Sequence, residues 1–378
     1  MNTESVSQPD LTDVIVRLRS QLTGVFNVVA IDVPQPPAEA IRFQGHLQQD
    51  ASTAFELIRE RFESIGYTPN LVRGENQHAP DVLIAMHGVV QANPSRAWIN
   101  LLLFGITVFT TLYAGHQSGE GLLSGIPYAF TLLVILGTHE FGHYFAARHH
   151  KADVTLPYFI PMLPEISLLG TLGAVIQMRS PIRDRRQLLD VGVAGPLAGL
   201  IIAIPLLVYG LALSPIETFT PADELRPDDS GYLVEGNSLL YLGLKYAVKG
   251  EVLPNNGQDV NLHPIAWAGW VGIMVTFLNL LPMGQLDGGH VLYALIGRRA
   301  WPIARLVALV MLVMGVVAWT GWFIWAVLPL LFGLRHPPPL NDHTPLDTHR
   351  KLVGVAVLVI FVLVFTPVPI TMVLPPAS

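Results

Sequence analysis

The sequence predicts a polytopic α-helical membrane protein of about six to seven transmembrane helices with a membrane-associated β-hairpin, plus a small N-terminal α+β soluble domain. Of the 378 residues, 51% are hydrophobic and 13% are charged, whereas a soluble domain usually carries about 25% charged residues. Long apolar stretches recur from Trp98 onward, while residues 1–95 show shorter patterns. We therefore predict a soluble domain over 1–95 and a membrane domain over 96–378.

The first 95 residues show the periodicities of a small folded domain. Alternation in AIRFQGHLQ predicts a strand, DASTAFELIRERFESIGY predicts a helix, and TPNLVRG and DVLIAMHGVV predict two further strands. The first twenty residues lack the basic-then-apolar order of a cleaved signal peptide. We therefore expect membrane insertion to depend on internal segments.

Seven apolar stretches predict the membrane spans. Crossing a hydrocarbon core of about 30 Å takes roughly 20 apolar residues, and shorter segments must tilt or pair. The fifth and sixth stretches meet at a Trp-Thr-Gly-Trp sequence, so together they form either a helical hairpin or one kinked span. In the second case the chain has six spans. The stretches are 98–115, 122–145, 188–213, 265–283, 303–319, 321–334 and 352–374.

Charge in the connecting segments predicts the orientation, because basic residues are retained on the cytoplasmic side. The loop over 214–262 holds three basic and eight acidic residues. With alternate crossings, the basic segments fall on the opposite side from this loop, together with residues 1–95. We therefore expect the N-terminal domain to lie on the cytoplasmic side of the cell membrane. The basic residues are Arg179, Arg183, Arg185, Arg186, Arg298, Arg299, Arg305, Arg335, Arg350 and Lys351.

Composition also restricts the chemistry and the partners. The chain has no cysteine, so disulfides and thiolate metal sites are excluded, and any metal must be held by His, Asp or Glu. The net charge is −6 and no basic run resembles a nucleic-acid-binding surface. We expect the lipid bilayer as a partner, and no nucleic acid.

The strongest chemical signal is the HEFGH motif at residues 139–143, inside the apolar segment TLLVILGTHEFGHYFAARHH. On a helix, His139 and His143 share one face, so both imidazoles can bind one Zn²⁺ ion. Glu140 lies about 100° round the helix, which suits a general base better than a third ligand. Ionisable groups within a membrane span usually have a function. The alternative is a helix end whose polar groups reach the membrane interface.

A catalytic zinc site needs a third protein ligand and an open position for water. Asp287, in LNLLPMGQLDGGH, is the candidate, because Pro282 ends the preceding helix and neighbouring glycines allow the chain to turn the carboxylate back. The alternative is a solvated Asp in a turn. Glu165 and His290 are rival third ligands, and the pattern favours neither of them.

Two further features lie close to this motif in the predicted topology. Asn279 is an amide in an apolar helix, so it either stabilises an oxyanion or substrate backbone, or makes an interhelical hydrogen bond. The segment LLGTLGAVIQM alternates like two strands around glycines. Exposed strand edges do not face lipid, so this hairpin either pairs with an extended substrate or has a structural role. The small residues of GPLAG at 195–199 predict close packing of this helix against the helix that carries the HEFGH motif.

Together these motifs resemble the site-2 protease family of intramembrane zinc metalloproteases. The resemblance rests on HEFGH at 139–143, GTLGA at 170–174, GPLAG at 195–199 and NLLPMGQLDGG at 279–289, and it covers a catalytic core of about 122–295. It implies His139, His143 and Asp287 as ligands of one Zn²⁺ per chain, with Glu140 and Asn279 catalytic. It further implies that the hairpin residues Gly170, Thr171, Leu172, Gly173 and Ala174 contact the substrate.

The extra N-terminal domain and spans are similar to the plastid and cyanobacterial branch of that family, and no PDZ-like insertion or CBS pair is evident in the sequence. The expected activity is hydrolysis of peptide bonds in transmembrane segments of other membrane proteins. A rival class is a metal-binding membrane transporter or sensor that uses the same His and Asp cluster. A transporter usually shows several such clusters or internal repeats, and the sequence shows one cluster.

Overall fold

The computed structural model describes residues 11–33, 40–74, 79–89, 96–116, 120–163, 167–219 and 231–374, except for the side chains of 329–332. Its contacts divide the chain into two compact units. Unit 1 comprises Met1–Asn93, Arg179–Leu188 and Pro337–Leu346, and unit 2 comprises Pro94–Met178, Leu189–His336 and Asp347–Ser378.

Unit 1 is built on an antiparallel sheet of four strands with the order β1-β2-β4-β3. Its core includes Phe43, Phe55, Ile58 and Phe62, each at most 2% exposed. Asp50 caps the second helix by accepting from the N–H groups of the next turn. The elements are α1 (Leu11–Gln21), β1 (Phe26–Asp32), β2 (Ala40–Leu47), α2 (Ala51–Glu63), β3 (Tyr67–Val72) and β4 (Asp81–His87).

The sequence patterns predicted four of these six elements, namely β2, α2, β3 and β4. They missed α1 and β1. The apolar residues of α1 recur at helical spacing and its Leu18 is fully buried, so this helix had a readable signal. In β1, consecutive apolar residues around Val28 and Val29 obscure the alternation, and the pairing with β2 shifts register there.

Two distant segments of unit 1 extend its sheet beyond β3. Leu71 donates its backbone N–H to Leu340 O at 2.6 Å and accepts from Asp342 N at 3.2 Å. Leu340 in turn donates to Ile182 O at 2.9 Å, and the following residue bonds to Arg183 O at 2.7 Å. Segment 337–346 thus pairs with β3 through an isolated parallel bridge at Asn341, and segment 179–188 pairs in turn with segment 337–346.

Unit 2 is mostly helical. Four helical stretches among the described residues are long and apolar enough to cross a membrane: Ala97–Gly115, Leu122–His149, Arg185–Leu213 and Asp287–Val317. The elements are α3 (Ala97–Gly115), α4 (Ile126–His149), β5 (Tyr158–Pro161), β6 (Thr171–Val175), α5 (Arg185–Leu213), β7 (Ile216–Thr218), β8 (Tyr232–Glu235), α6 (Leu239–Lys249), β9 (Gln258–Val260), α7 (Pro264–Asn279), α8 (Asp287–Ile296), α9 (Ala300–Val317), α10 (Trp322–Phe332), α11 (Thr348–Val364) and β10 (Ile370–Val373).

This organisation differs from the predicted set of spans. Helices α7, α10 and α11 have 16, 11 and 17 residues, fewer than the roughly 20 that cross a bilayer unaided. The apolar stretch 265–283 was longer than α7 because it continues past Asn279 into a turn. The basic connection around Arg298 is helical and joins α8 to α9. Helices α9 and α10 are separate and pack together, as the hairpin alternative predicted.

Small residues bring α4, α5 and α7 close together. A Cβ built on Gly142 of α4 would lie 2.6 Å from Ala194 O of α5, and one on Gly269 of α7 would lie 2.9 Å from Leu207 Cα of α5. Such distances exclude any side chain without displacing a backbone. The small-residue stripe of α5 therefore packs against α4, as the sequence predicted.

A buried charge network fixes α6. Lys245 is fully buried and its Nζ lies 3.0 Å from Asp259 Oδ1 and 3.9 Å from Glu235 Oε1. Tyr241 donates its hydroxyl to Glu235 Oε1 at 2.8 Å. Burial of these three charged groups is tolerated because each has a partner of opposite charge or a hydrogen-bond donor.

Replacing Lys245 with Met is expected to lower the free energy of unfolding by about 3–5 kcal/mol, because Asp259 is left buried without its cation. The measurement is the melting temperature of the purified protein in detergent. The control variant Lys351→Met removes an exposed lysine and should change the melting temperature little. An equal melting temperature for Lys245→Met and the parent would contradict the assignment.

Candidate metal centre

Helix α4 presents the three groups of the HEFGH motif at one level of the bundle. His139, Glu140 and His143 are 3%, 6% and 6% exposed. The two Nε2 atoms of the histidines lie 3.1 Å apart, because residues four apart share a helix face. Both imidazoles therefore point at one position.

Asp287 reaches the same position from the start of α8. Its Oδ2 lies 3.3 Å from Nε2 of His139 and 3.3 Å from Nε2 of His143. This oxygen is buried and has no hydrogen-bond partner, which is costly unless a cation binds there. Tetrahedral Zn²⁺ with ligand bonds of about 2.0–2.1 Å separates its ligands by about 3.3 Å. The three atoms thus match three corners of a zinc site.

The turn between α7 and α8 places Asp287. Gly284 has a positive φ of 57°, which a side chain would disfavour. A Cβ on Gly288 would lie 1.9 Å from Leu280 O, and one on Gly289 would lie 2.5 Å from Gly284 O. The sequence predicted that all three glycines bend the chain. In the structure Gly284 does so, whereas Gly288 and Gly289 lie in α8 and let its first turn pack on the preceding backbone.

Helix α5 supports both histidines. His143 donates from Nδ1 to Val191 O at 2.7 Å, and this bond leaves the Nε2 lone pair for a metal. A Cβ on Gly195 would lie 2.1 Å from His143 Nε2, and one on Gly199 would lie 3.2 Å from His139 Nδ1. The GPLAG stripe therefore provides the space in which the two imidazoles lie.

Glu140 faces the same cavity of about 230 Å³ as the three candidate metal ligands. The backbone N–H of Ile176, just beyond β6, approaches the carboxylate of Glu140. The carboxylate is thus oriented by the hairpin and lies beside the metal position, where a general base is needed.

Asn279, the last residue of α7, also lines this cavity. Its Nδ2 lies 3.4 Å from His139 Nε2, so the amide is adjacent to a metal-binding atom. This placement favours the oxyanion or substrate role among the two that the sequence left open.

Replacing Asn279 with Leu is expected to lower kcat for the peptide hydrolysis that the sequence predicts by about 10²–10³-fold, the usual cost of removing one oxyanion donor. Zinc content should stay at one ion per chain, because Asn279 is not among the three ligand groups. The measurement combines metal analysis with single-turnover cleavage. Unchanged kcat would leave Asn279 with a packing role.

The hairpin formed by β5 and β6 contributes residues to the wall of the cavity. Strands β5 and β6 pair antiparallel, and Ala174 lines the cavity together with the following residues Val175, Ile176 and Met178. The other four predicted substrate contacts do not line it. Gly170 ends the turn before β6 and Gly173 lies within β6, both with positive φ. Leu172 is 63% exposed, and Thr171 is buried, with Oγ1 donating to Ile160 O at 2.9 Å.

Several lining residues were not identified from the sequence as site residues. Val191, Gln285 and Leu286 line the cavity through packing of α5 and the turn before α8, and no spacing pattern signals them. His290, a rival ligand, lines the cavity but does not belong to the group of three metal-binding residues. Glu165, the other rival, lies outside the described residues.

The chain matches a peptidase family and is similar to several known proteins. The model of peptidase family M50 matches residues 127–320. The chain is similar to "Probable zinc metalloprotease EGY1, chloroplastic" of Arabidopsis thaliana, at 29% identity over 87% of this chain and 66% of the relative. It is also similar to "Probable zinc metalloprotease EGY2, chloroplastic" of Oryza sativa subsp. indica, at 28% identity over 97% of this chain and 68% of the relative. The chain thus spans about two thirds of the length of these relatives. No solved structure matches it.

Proposed function

The chain belongs to peptidase family M50, and from this premise we propose that it is an intramembrane zinc metalloprotease that hydrolyses peptide bonds in transmembrane segments of other membrane proteins. One observation carries the proposal. Three ligand atoms, from His139, His143 and Asp287, meet beside the Glu140 carboxylate, on helices apolar enough to cross a membrane.

His139, His143 and Asp287 would hold the zinc ion, in agreement with the zinc metalloprotease names of the relatives. The ion supplies Lewis acidity, which activates a water molecule and polarises the carbonyl group of the bound peptide. The Val191 carbonyl keeps His143 in the tautomer that presents a lone pair at Nε2.

Glu140 acts as general base and then as general acid. It takes a proton from the attacking water and returns it to the nitrogen of the departing amine. The N–H of Ile176 orients its carboxylate. Asn279 donates from Nδ2 to the oxygen that becomes negatively charged.

The substrate enters as an extended chain, because an α-helix keeps its carbonyl groups in internal hydrogen bonds. Gln177 accepts at its carbonyl from Thr155 N at 3.1 Å, so its backbone faces the segment that precedes β5. By strand alternation, Ala174 presents its backbone groups to the opposite edge, toward the cavity that it lines. A substrate strand would pair at this edge.

We further propose that α7, α10 and α11 also lie within the bilayer, which would give up to seven spans. The charge of the connecting segments supports an orientation in the cell membrane with residues 1–95 on the cytoplasmic side. The helix ends that carry the metal ligands would lie on the same side. In that position water has a short path to the site.

Reconstitution tests the activity against the rival transporter or sensor. Proteoliposomes containing the purified protein and a single-span helical reporter should release reporter fragments, and 1,10-phenanthroline should stop this until zinc is restored. The same vesicles loaded with a zinc-sensitive dye should show no protein-dependent zinc flux. Flux without cleavage would support the transporter and overturn the protease.

A further inference from the structure

A pair of histidines, one buried and one partly buried, borders the cavity and has no role in the hydrolysis described above. His290 lies on α8, one turn after the ligand Asp287, and lines the cavity. His336 lies beyond α10 and is 5% exposed. The Nδ1 atom of His290 and the Nε2 atom of His336 are 2.6 Å apart, a distance that requires a hydrogen bond between the rings.

The ring of His336 is held on other sides as well. It stacks on Tyr293 with a centroid distance of 4.9 Å and an interplanar angle of 29°. Its backbone carbonyl accepts from Trp301 Nε1 at 3.0 Å. Its own ring meets that of His290 edge-on at 81°. His336 is therefore a fixed partner that sets the direction of the His290 ring.

The backbone of α5 leaves space for His290. A Cβ built on Gly192 would lie 2.9 Å from His290 Cβ, so any side chain at position 192 would press on this histidine. The nitrogen atoms of His290 do not belong to the close group formed by the three metal-binding side chains. The ring thus borders the metal centre without joining the ligand set.

We propose that His290 binds the substrate backbone through Nε2 and that His336 is the positioning residue that orients it. The proposal rests on the proposed function. One proton lies between the two rings, so Nε2 of His290 is either a donor or an acceptor, and it is the ring nitrogen left for the cavity. An extended peptide offers both N–H and C=O groups. Because the cavity is lined by His290 and by Ala174 and Ile176, a peptide paired with the hairpin edge passes within reach of His290.

Replacing His290 with Leu is expected to lower kcat/KM for a helical membrane reporter by about tenfold, the effect of one lost hydrogen bond at the upper end of the usual range. The change should lie mainly in KM if the bond is already present in the bound substrate. His290→Gln, whose amide can replace Nε2, should recover part of the loss. The control His349→Gln changes an exposed histidine and should leave kcat/KM unchanged.

A double-mutant cycle tests the pair. His336→Phe keeps a ring to stack on Tyr293 but removes the hydrogen bond, so it should raise KM in the parent and have no further effect in His290→Leu. Gly192→Ala displaces His290 without changing its chemistry and should raise KM similarly. It serves as the second variant if His290→Leu does not fold.

Each other outcome is decisive. Equal KM in the parent and in both the His290→Leu and Gly192→Ala variants would overturn the proposal, as would additive effects of His290→Leu and His336→Phe. Loss of zinc from His290→Leu would make His290 a ligand and also overturn it. If the parent protein itself releases no reporter fragment, the proposed function fails, and zinc binding by the variants then shows whether the metal centre stands independently.

Discussion

Replacing Glu140 with Gln is expected to lower kcat for reporter cleavage by about 10²–10⁴-fold while zinc stays at one ion per chain. Gln has nearly the shape of Glu, so it can still occupy the cavity and contact the Ile176 backbone. It cannot take a proton from water or return one to the amine. The ligand atoms of His139, His143 and Asp287 are unchanged, which is why metal content and catalysis should separate.

The measurement pairs metal analysis of the purified variant with the rate of fragment release in proteoliposomes. Glu251→Gln is the matched control, because Glu251 is exposed and lies far along the chain from the motif. Parent-like cleavage by Glu140→Gln would show that another group moves the proton. Loss of zinc from that variant would instead place Glu140 among the ligands.

Replacing Gly195 with Ala is expected to weaken zinc binding by about 10–100-fold, the typical effect of disturbing the support of a metal ligand, and to reduce cleavage at least as much. The added methyl group would lie 2.1 Å from His143 Nε2, well inside van der Waals contact. His143 would have to turn away, and α4 and α5 are packed too closely to separate.

Gly105→Ala provides the control, since Gly105 also lies in an apolar helix but has no atom within 4 Å of the added Cβ. Zinc affinity is measured by competition with a chelator, and cleavage with the same reporter. A Gly195→Ala protein with the zinc affinity of the parent would mean that the helices adjust without disturbing His143.

The metal centre was readable from sequence where its geometry is local. His139, Glu140 and His143 are fixed by helix periodicity alone, and the structure places them as that periodicity requires. Asp287 depends on the fold, because another helix must bring it to the same point. Its candidacy came from Pro282 and the glycines around it, and the structure brings its Oδ2 to the two imidazoles.

The walls of the cavity could not be predicted in the same way. Val191 and Ile176 contribute backbone groups, and any apolar residue there would have offered the same atoms. The end of the fourth apolar stretch, predicted at residue 283, also differs for a physical reason. Hydropathy follows side chains, whereas α7 ends at Asn279 because the following segment turns toward α8. The apolar residues in that turn are buried, so the hydropathy of the segment resembles that of a continuing helix.

The backbone pairing within unit 1 limits which truncations of the protein leave this unit intact. Deleting residues 1–95 would remove β3 and strip Leu340 and Asp342 of the backbone partners that Leu71 provides. It would also expose Asn341, whose side chain donates to Ala51 O at 3.0 Å. The truncated protein would therefore expose unpaired backbone groups in segment 337–346, and such groups favour self-association. Transfer of residues 1–95 to a relative would succeed only if segments 179–188 and 337–346 were transferred as well.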